Sequence, residues 1–224
     1  MSATPSFVMP RDVAVPAGQN ATLTTRFLAN LRFKTGLYLL LSGIFCVLYF
    51  GIQRLPLLHP RTFALSYIDK AIGFHPAAIY AYQSVYLLIP LFPFLTTSKD
   101  DLLRFVKGFV PLCAFCFGTF LVYPVLGPRP EHAEVNQFVQ LVFSLDNNLN
   151  AFPSLHVGLA VYSVLFGFRI ARGNQGLRWL AIFGAVWAGL ILISTMATKQ
   201  HYSVDLPPGI FLAWLANRWA WARA

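Results

Sequence analysis

Six stretches of the chain are apolar almost without interruption: residues 35–54, 77–97, 105–126, 155–171, 177–196 and 205–221. Each approaches the roughly 20 residues that a helix needs to cross a hydrocarbon core about 30 Å thick. None alternates apolar with polar positions, as the strands of a spanning barrel would. The pattern therefore predicts helices, the other structure that satisfies its own backbone groups in lipid. The fourth and sixth runs are the shortest and are expected to begin at the interface. The connection 127–152, rich in Asn, Pro and acidic residues, predicts a loop with short helical pieces. The first 34 residues are polar, with scattered Pro and Gly and no apolar core of signal-peptide type. They read as a mobile tail, which leaves 35–224 as one six-span domain.

Composition agrees with this reading. Of 224 residues, 57% are hydrophobic and 11% charged, against about 25% charged in an average soluble domain. Mean hydropathy is +0.59. The net charge of +9 does not point to nucleic acid, because the basic residues sit between the apolar runs, where they report orientation. Six spans put both termini on one side. That side carries Arg11, Arg26, Arg32, Lys34, Lys99, Arg104, Lys107, Arg169, Arg172, Arg178, Arg218 and Arg223. The other side has Arg54, Arg61, Lys70, Arg129 and Lys199. The positive-inside rule makes the first side cytoplasmic. Trp214, Trp219 and Trp221 beside Arg218 and Arg223 read as interfacial anchors. Cys46, Cys113 and Cys116 all lie in apolar runs and read as small hydrophobes. The CxxC at 113–116 has no companion ligands.

Polar residues gather on the extracytoplasmic face. The third run ends in "YPVLGPRPEH", placing Arg129 just beyond it. The fourth opens with "FPSLHVG", placing Ser154 and His156 at its entrance. The fifth ends in "ISTMATKQ", and the sixth is entered through "HYSVDLPPG". Ionisable groups at membrane depth are costly and usually functional. His201 and Asp205 are four apart, a spacing that on a helix stacks them on one face. The carboxylate then fixes the imidazole tautomer and leaves the other ring nitrogen free to attack. His156 is placed to protonate a leaving group. Arg129 and Lys199 suit a phosphate, and Ser154 adds a hydroxyl near a helix N-terminus. These parts describe metal-independent phosphoryl transfer through a phosphohistidine. No cofactor is expected, and Asp69, Glu131, Glu134 and Asp146 form no divalent-metal motif. His59, His75 and His132 lack such context and read as interfacial loop residues. Asn147, Asn148 and Asn150 read as turn formers.

"PRP" at 128–130, "PSLH" at 153–156 and "HYSVD" at 201–205 resemble the membrane-bound type 2 phosphatidic acid phosphatase superfamily. Its pattern is K-x6-R-P, P-S-x-H and S-R-x5-H-x3-D. The resemblance covers about residues 100–220. It implies an all-α, integral membrane six-helix bundle with the active site at the extracytoplasmic end of spans 3–6. It also implies His201 as nucleophile with Asp205 as its partner, His156 as general acid, and Arg129 and Ser154 as phosphate ligands. Val122 stands where the pattern has Lys, and Thr195 where it has Arg; Lys199 is the candidate replacement. "TKQHY" and "NAFPSLHV" look nearest the inositolphosphotransferase-like branch. Pro207 and Pro208 mean that the sixth helix either starts near residue 206 or is kinked there.

The functional expectation is a lipid phosphatase in the cell (inner) membrane, acting on a lipid phosphate or diphosphate, with lipids as its partners. Two alternatives stand beside it: a lipid phosphotransferase that passes phosphate or a headgroup to an alcohol, and a non-catalytic lipid-binding protein that keeps the motif by descent.

Overall fold

The computed structural model describes residues 21–55, 57–130, 135 and 137–222. Arg11, Glu131, His132, Glu134, Arg223 and residues 1–20 of the predicted tail lie outside the described residues. The described chain is helical, and its only strand-like contacts are isolated bridges that join Arg61 to Val125 and Val125 to Asn150.

Every apolar run is a helix or a helix pair. The first is α2 (Leu31–Arg54), preceded by a short α1 (Leu23–Leu28). Lys34, inside α2, is buried, and its ammonium donates to the carbonyls of Arg26 and Phe94, each at 2.7 Å. One cation thus satisfies carbonyls left over at the ends of two helices. The connection after α2 contains α3 (Tyr67–Ala71), which the hydropathy pattern did not reveal because it is only five residues long.

The second run is α4 (Ile79–Gln83) followed by α5 (Val85–Phe94), entered through a 3-10 turn at Pro76–Ala78. The two helices meet at Ser84, whose hydroxyl donates to Ala81 O at 2.6 Å and accepts from the Trp187 indole at 2.7 Å. The third run is α6 (Lys99–Val122). It starts ahead of its apolar stretch because Ser98 caps it, accepting from the amides of Asp100 and Asp101. The loop that follows holds α7 (Gln137–Leu145), the helical piece expected there.

Then come α8 (Leu155–Ile170), α9 (Gln175–Ala197) and α10 (Leu206–Ala220). α10 settles the proline question. Pro207 and Pro208 fall in its first turn, where a missing N–H removes no intrahelical bond, so the helix begins at Leu206 without a kink.

Among the described residues, four helical stretches are long and apolar enough to cross a membrane: Leu31–Arg54, Pro76–Phe94, Lys99–Val122 and Gln175–Ala197. α8, at 16 residues, spans about 24 Å and is the most enclosed. It packs against α5, α6, α9 and α10, and it buries Leu159, Tyr162 and Phe166 in the main core with Phe92, Phe105 and Phe109. Two glycines bring α8 and α10 together at the site end. A Cβ on Gly209 would lie 2.4 Å from Ser154 O, and one on Gly158 would lie 3.4 Å from Gly209 O. That close approach sets the start of α10 against the start of α8, which carry the last two sequence motifs.

Candidate active site

The site lies where the connections 57–66, 123–130, 146–154 and 198–205 meet at one end of the bundle. Backbone hydrogen bonds tie them together: Arg61 N to Pro124 O at 2.9 Å, Leu126 N to Arg61 O at 2.8 Å, and Ala151 N to Val125 O at 3.1 Å. Val125, Ala151 and Tyr202 form a small apolar cluster beneath them, with Phe63, Tyr123 and Phe152 against it. These loops are therefore packed, and the side chains they carry are held in place.

His201 follows the end of α9. The amides of Gln200 and His201 donate to Thr195 O at 3.1 and 3.2 Å, turning the chain out of the helix. The His201 Nδ1 lies 2.7 Å from Ala151 O. A carbonyl only accepts, so this contact puts the proton on Nδ1 and the lone pair on Nε2.

Asp205 is reached differently from the helical stacking expected of an i, i+4 pair. Residues 201 and 202 precede a 3-10 turn at Ser203–Asp205, so the two side chains do not share a helix face. They still approach, with Nδ1 3.6 Å from Oδ2. That is longer than a hydrogen bond. Asp205 is fully buried. Its Oδ2 accepts from Tyr202 N at 2.7 Å, and its carbonyl accepts from Ser154 N at 3.1 Å.

His156 sits in the first turn of α8. Its ring stacks on Tyr82, centroids 3.8 Å apart, with Tyr86 edge-on at 5.7 Å. Its Nε2 is buried without a hydrogen-bond partner. His156 and His201 line one cavity together with Tyr49, Tyr82, Tyr86 and Asn150. The cavity has a volume of about 20 Å³, room for roughly one water. It adjoins a cleft of about 280 Å³ between α2, α4–α5 and α7, with His156 on the shared wall and Phe50, Val142 and Leu145 further out.

The remaining candidates are placed as follows. Ser154 is fully buried as the cap of α8, its hydroxyl accepting from Val157 N at 3.3 Å. It neighbours Asp205 and does not line the histidine cavity. The Arg129 guanidinium is engaged by Gln200 Oε1, by Asp146 O at 2.7 Å and by Asp146 Oδ2 at 3.1 Å. It reaches the cavity through a relay, in which Tyr49 OH donates to Asp146 Oδ2 at 3.2 Å and Asn150 donates to Tyr49. Lys199, expected to replace a missing phosphate ligand, has its ammonium on the carbonyls of Asp69 at 2.6 Å and Ile72 at 2.5 Å. It is not brought to the cavity.

Several residues of the site were not picked out in the sequence. Tyr82 and Tyr86 are four apart in an apolar run, a spacing that shares a helix face, and that signal was available. Asn150 was read as a turn former, as were its neighbours. Asn148 does turn the chain, with φ 60° and its amide on Asp146 Oδ1 at 2.9 Å, whereas Asn150 lines the cavity. Asp69 is buried in α3. It forms a capping box with Ser66 and crosses to Ser203, whose amide donates to it at 2.7 Å and whose hydroxyl donates at 3.1 Å. The Ser66-x-x-Asp69 pattern announces the cap; its long-range partner is a tertiary fact. Burial alone would raise the Asp69 pKa, but the hydrogen bonds from Ser66 and Ser203 outweigh it and hold the carboxyl below its ordinary value. Among the described residues, no group of three His, Cys, Asp or Glu side chains is placed to hold a metal ion.

Four membrane-length apolar stretches among the described residues define an integral membrane protein, and at one end of its helices two histidines line one cavity. The PAP2 superfamily matches residues 50–219, and the chain belongs to that superfamily. All six candidate site residues fall within the match. Superfamily members are phosphatases, which makes this a membrane protein of phosphatase or phosphotransferase type. No curated protein and no solved structure matches the chain.

Proposed function

We propose that the protein is an integral membrane lipid phosphatase that hydrolyses a lipid phosphate or diphosphate through a phosphohistidine. All six apolar helices cross the cell (inner) membrane, with cytoplasmic termini and the histidine site on the extracytoplasmic side. The observation that carries this reading is that His156 and His201 line one cavity while His201 Nδ1 is pinned to Ala151 O.

In the first step the His201 Nε2 lone pair forms a bond to phosphorus and the P–O bond to the lipid breaks. His156 gives its proton to the departing alkoxide. The charge that develops on the His201 ring is held by Asp205 at 3.6 Å. In the second step His156, now neutral, takes a proton from water, and the hydroxide displaces His201 from phosphorus. The water-sized cavity must widen to admit a PO₃ group, and the adjoining cleft supplies apolar room for the lipid. The test is purified protein with a panel of lipid phosphates, with and without alcohols, and His201→Ala as control. Free phosphate released in water alone, and lost in the variant, supports the hydrolase. Turnover unchanged in His201→Ala removes the site assignment altogether.

One observation favours a second reading, a lipid phosphotransferase. The cavity walls offer tyrosine hydroxyls and an asparagine amide and no lysine or arginine. Val122 and Thr195 replace cations of the family pattern, Lys199 is spent on carbonyls, and Arg129 is paired with Asp146. Desolvating a singly charged phosphodiester in such a pocket costs less than desolvating a doubly charged monoester. Turnover that requires an added alcohol acceptor selects this reading.

A further inference from the structure

Midway along the helices, α6 and α10 flank an apolar groove of about 390 Å³ that shares no lining residue with the histidine cavity. Pro111, Leu112 and Phe115 of α6 form one wall, and Leu212, Leu215 and Trp219 of α10 the other. Above it, toward the N-terminus of α6, stand Arg104 and Lys107. Positions 104, 107, 111 and 115 follow helical spacing, so the two cations and the groove lie along one stripe. The Lys107 ammonium is 5.1 Å from the Trp219 ring centroid, and the Arg104 guanidinium is 4.9 Å from that of Trp221. Arg104 is paired with Asp101 at 3.3 Å. Lys107 is exposed and, among the described residues, has no acidic partner.

We propose that this groove is a binding site for one anionic phospholipid of the leaflet opposite the histidine site. An acyl chain fills the groove and the headgroup phosphate sits on Lys107. The arrangement matches the ligand in both chemistry and order. The cation stands at the interfacial level marked by Trp219, and below it the walls are apolar as far as Phe115, eight residues or about 12 Å along α6. A zwitterionic lipid fits the groove equally well but brings its own cation to Lys107, so charge complementarity selects the anionic headgroup. The site shares no residue with the histidine cavity and does not depend on the proposed reaction.

The test is native mass spectrometry of the full chain, purified in detergent and supplied with equal amounts of phosphatidylglycerol and phosphatidylcholine. Wild-type protein retains phosphatidylglycerol in preference. Lys107→Gln lowers that preference about fivefold, the order that one basic side chain near an anionic headgroup contributes, and Lys107→Arg restores it. Leu215→Trp, which fills the groove from an exposed position, lowers retention of both lipids. Lys107 lies outside the proposed catalytic machinery, so its variants keep basal turnover. Equal retention of the two lipids by wild-type protein overturns the proposal. So does an unchanged preference in Lys107→Gln, or a dimer that excludes lipid from this face.

Discussion

The ring of Tyr82 lies on the ring of His156, with centroids 3.8 Å apart and planes 10° from parallel. An aromatic face from α4 thus packs on the residue of α8 that is proposed as the general acid, and under that proposal the stack helps to aim it. The phenol hydroxyl is not needed for the stack. Tyr82→Phe should therefore keep kcat within about threefold of wild type. Tyr82→Leu should lower kcat about 10- to 100-fold with a smaller change in KM, the size expected of a misaimed catalytic group. Steady-state kinetics on both variants, alongside a melting curve to separate misfolding, decides the point. Full kcat in Tyr82→Leu would show that the stack is packing alone.

The proposed steps need a neutral His201 and a protonated His156. The rate should thus fall at both low and high pH, giving a bell-shaped kcat/KM profile. His156→Ala should flatten one limb while lowering the rate by about 10²–10⁴-fold, the usual worth of a general acid. A profile with a single limb in wild-type enzyme contradicts the paired roles.

Asp69 holds the loop that carries His201 by accepting from Ser203 N and Oγ. Removing it leaves the half-buried Ser203 amide without that partner, so Asp69→Ala should cost about 1–3 kcal/mol and Asp69→Asn less. Its pKa is lowered in the fold. Its contribution is therefore complete above the ordinary carboxylate value of 3.8 and is lost as pH falls through the lower, folded value. Melting temperature against pH in detergent should show wild type losing stability in that acidic window, and Asp69→Asn losing less. Parallel curves for the two proteins would refute the coupling.

Gly209→Ala places a methyl group 2.4 Å from Ser154 O. The obstacle is backbone, so α10 must move away from α8. We expect a loss of about 1–3 kcal/mol, as for overpacking, together with reduced turnover, because Asp205 and Ser154 sit at that junction. Gly118, with open space around the position of its Cβ, provides the control: Gly118→Ala should leave both properties near wild type.

No step of the proposed reaction passes through a metal. Turnover should survive EDTA, measured as phosphate release before and after chelation. Loss of activity that returns with a divalent ion would demand a different chemistry.

The order of the apolar helices was legible from hydropathy, since a run of apolar residues near 20 long has few other stable fates in a bilayer; four of them reach membrane length among the described residues. The start of α10 at Leu206 was one of two outcomes that Pro207 and Pro208 allowed. The short elements were not legible. α3 and the 3-10 turn before α10 are set by caps and loop contacts too brief to leave a periodic signature. The family was legible too, from three motifs of residue types at fixed spacing.

Which of those residues meet was decided by tertiary structure. His156 and His201 are 45 positions apart, and only the packing of α8 against α9 and α10 puts both on one cavity. The same packing turned Lys199 onto α3, paired Arg129 with Asp146, and brought Tyr82 under His156. Hydrophobicity is a property of each segment by itself, so sequence reports it. The partner of a buried polar group depends on which loops converge, and that is known only once the chain has folded.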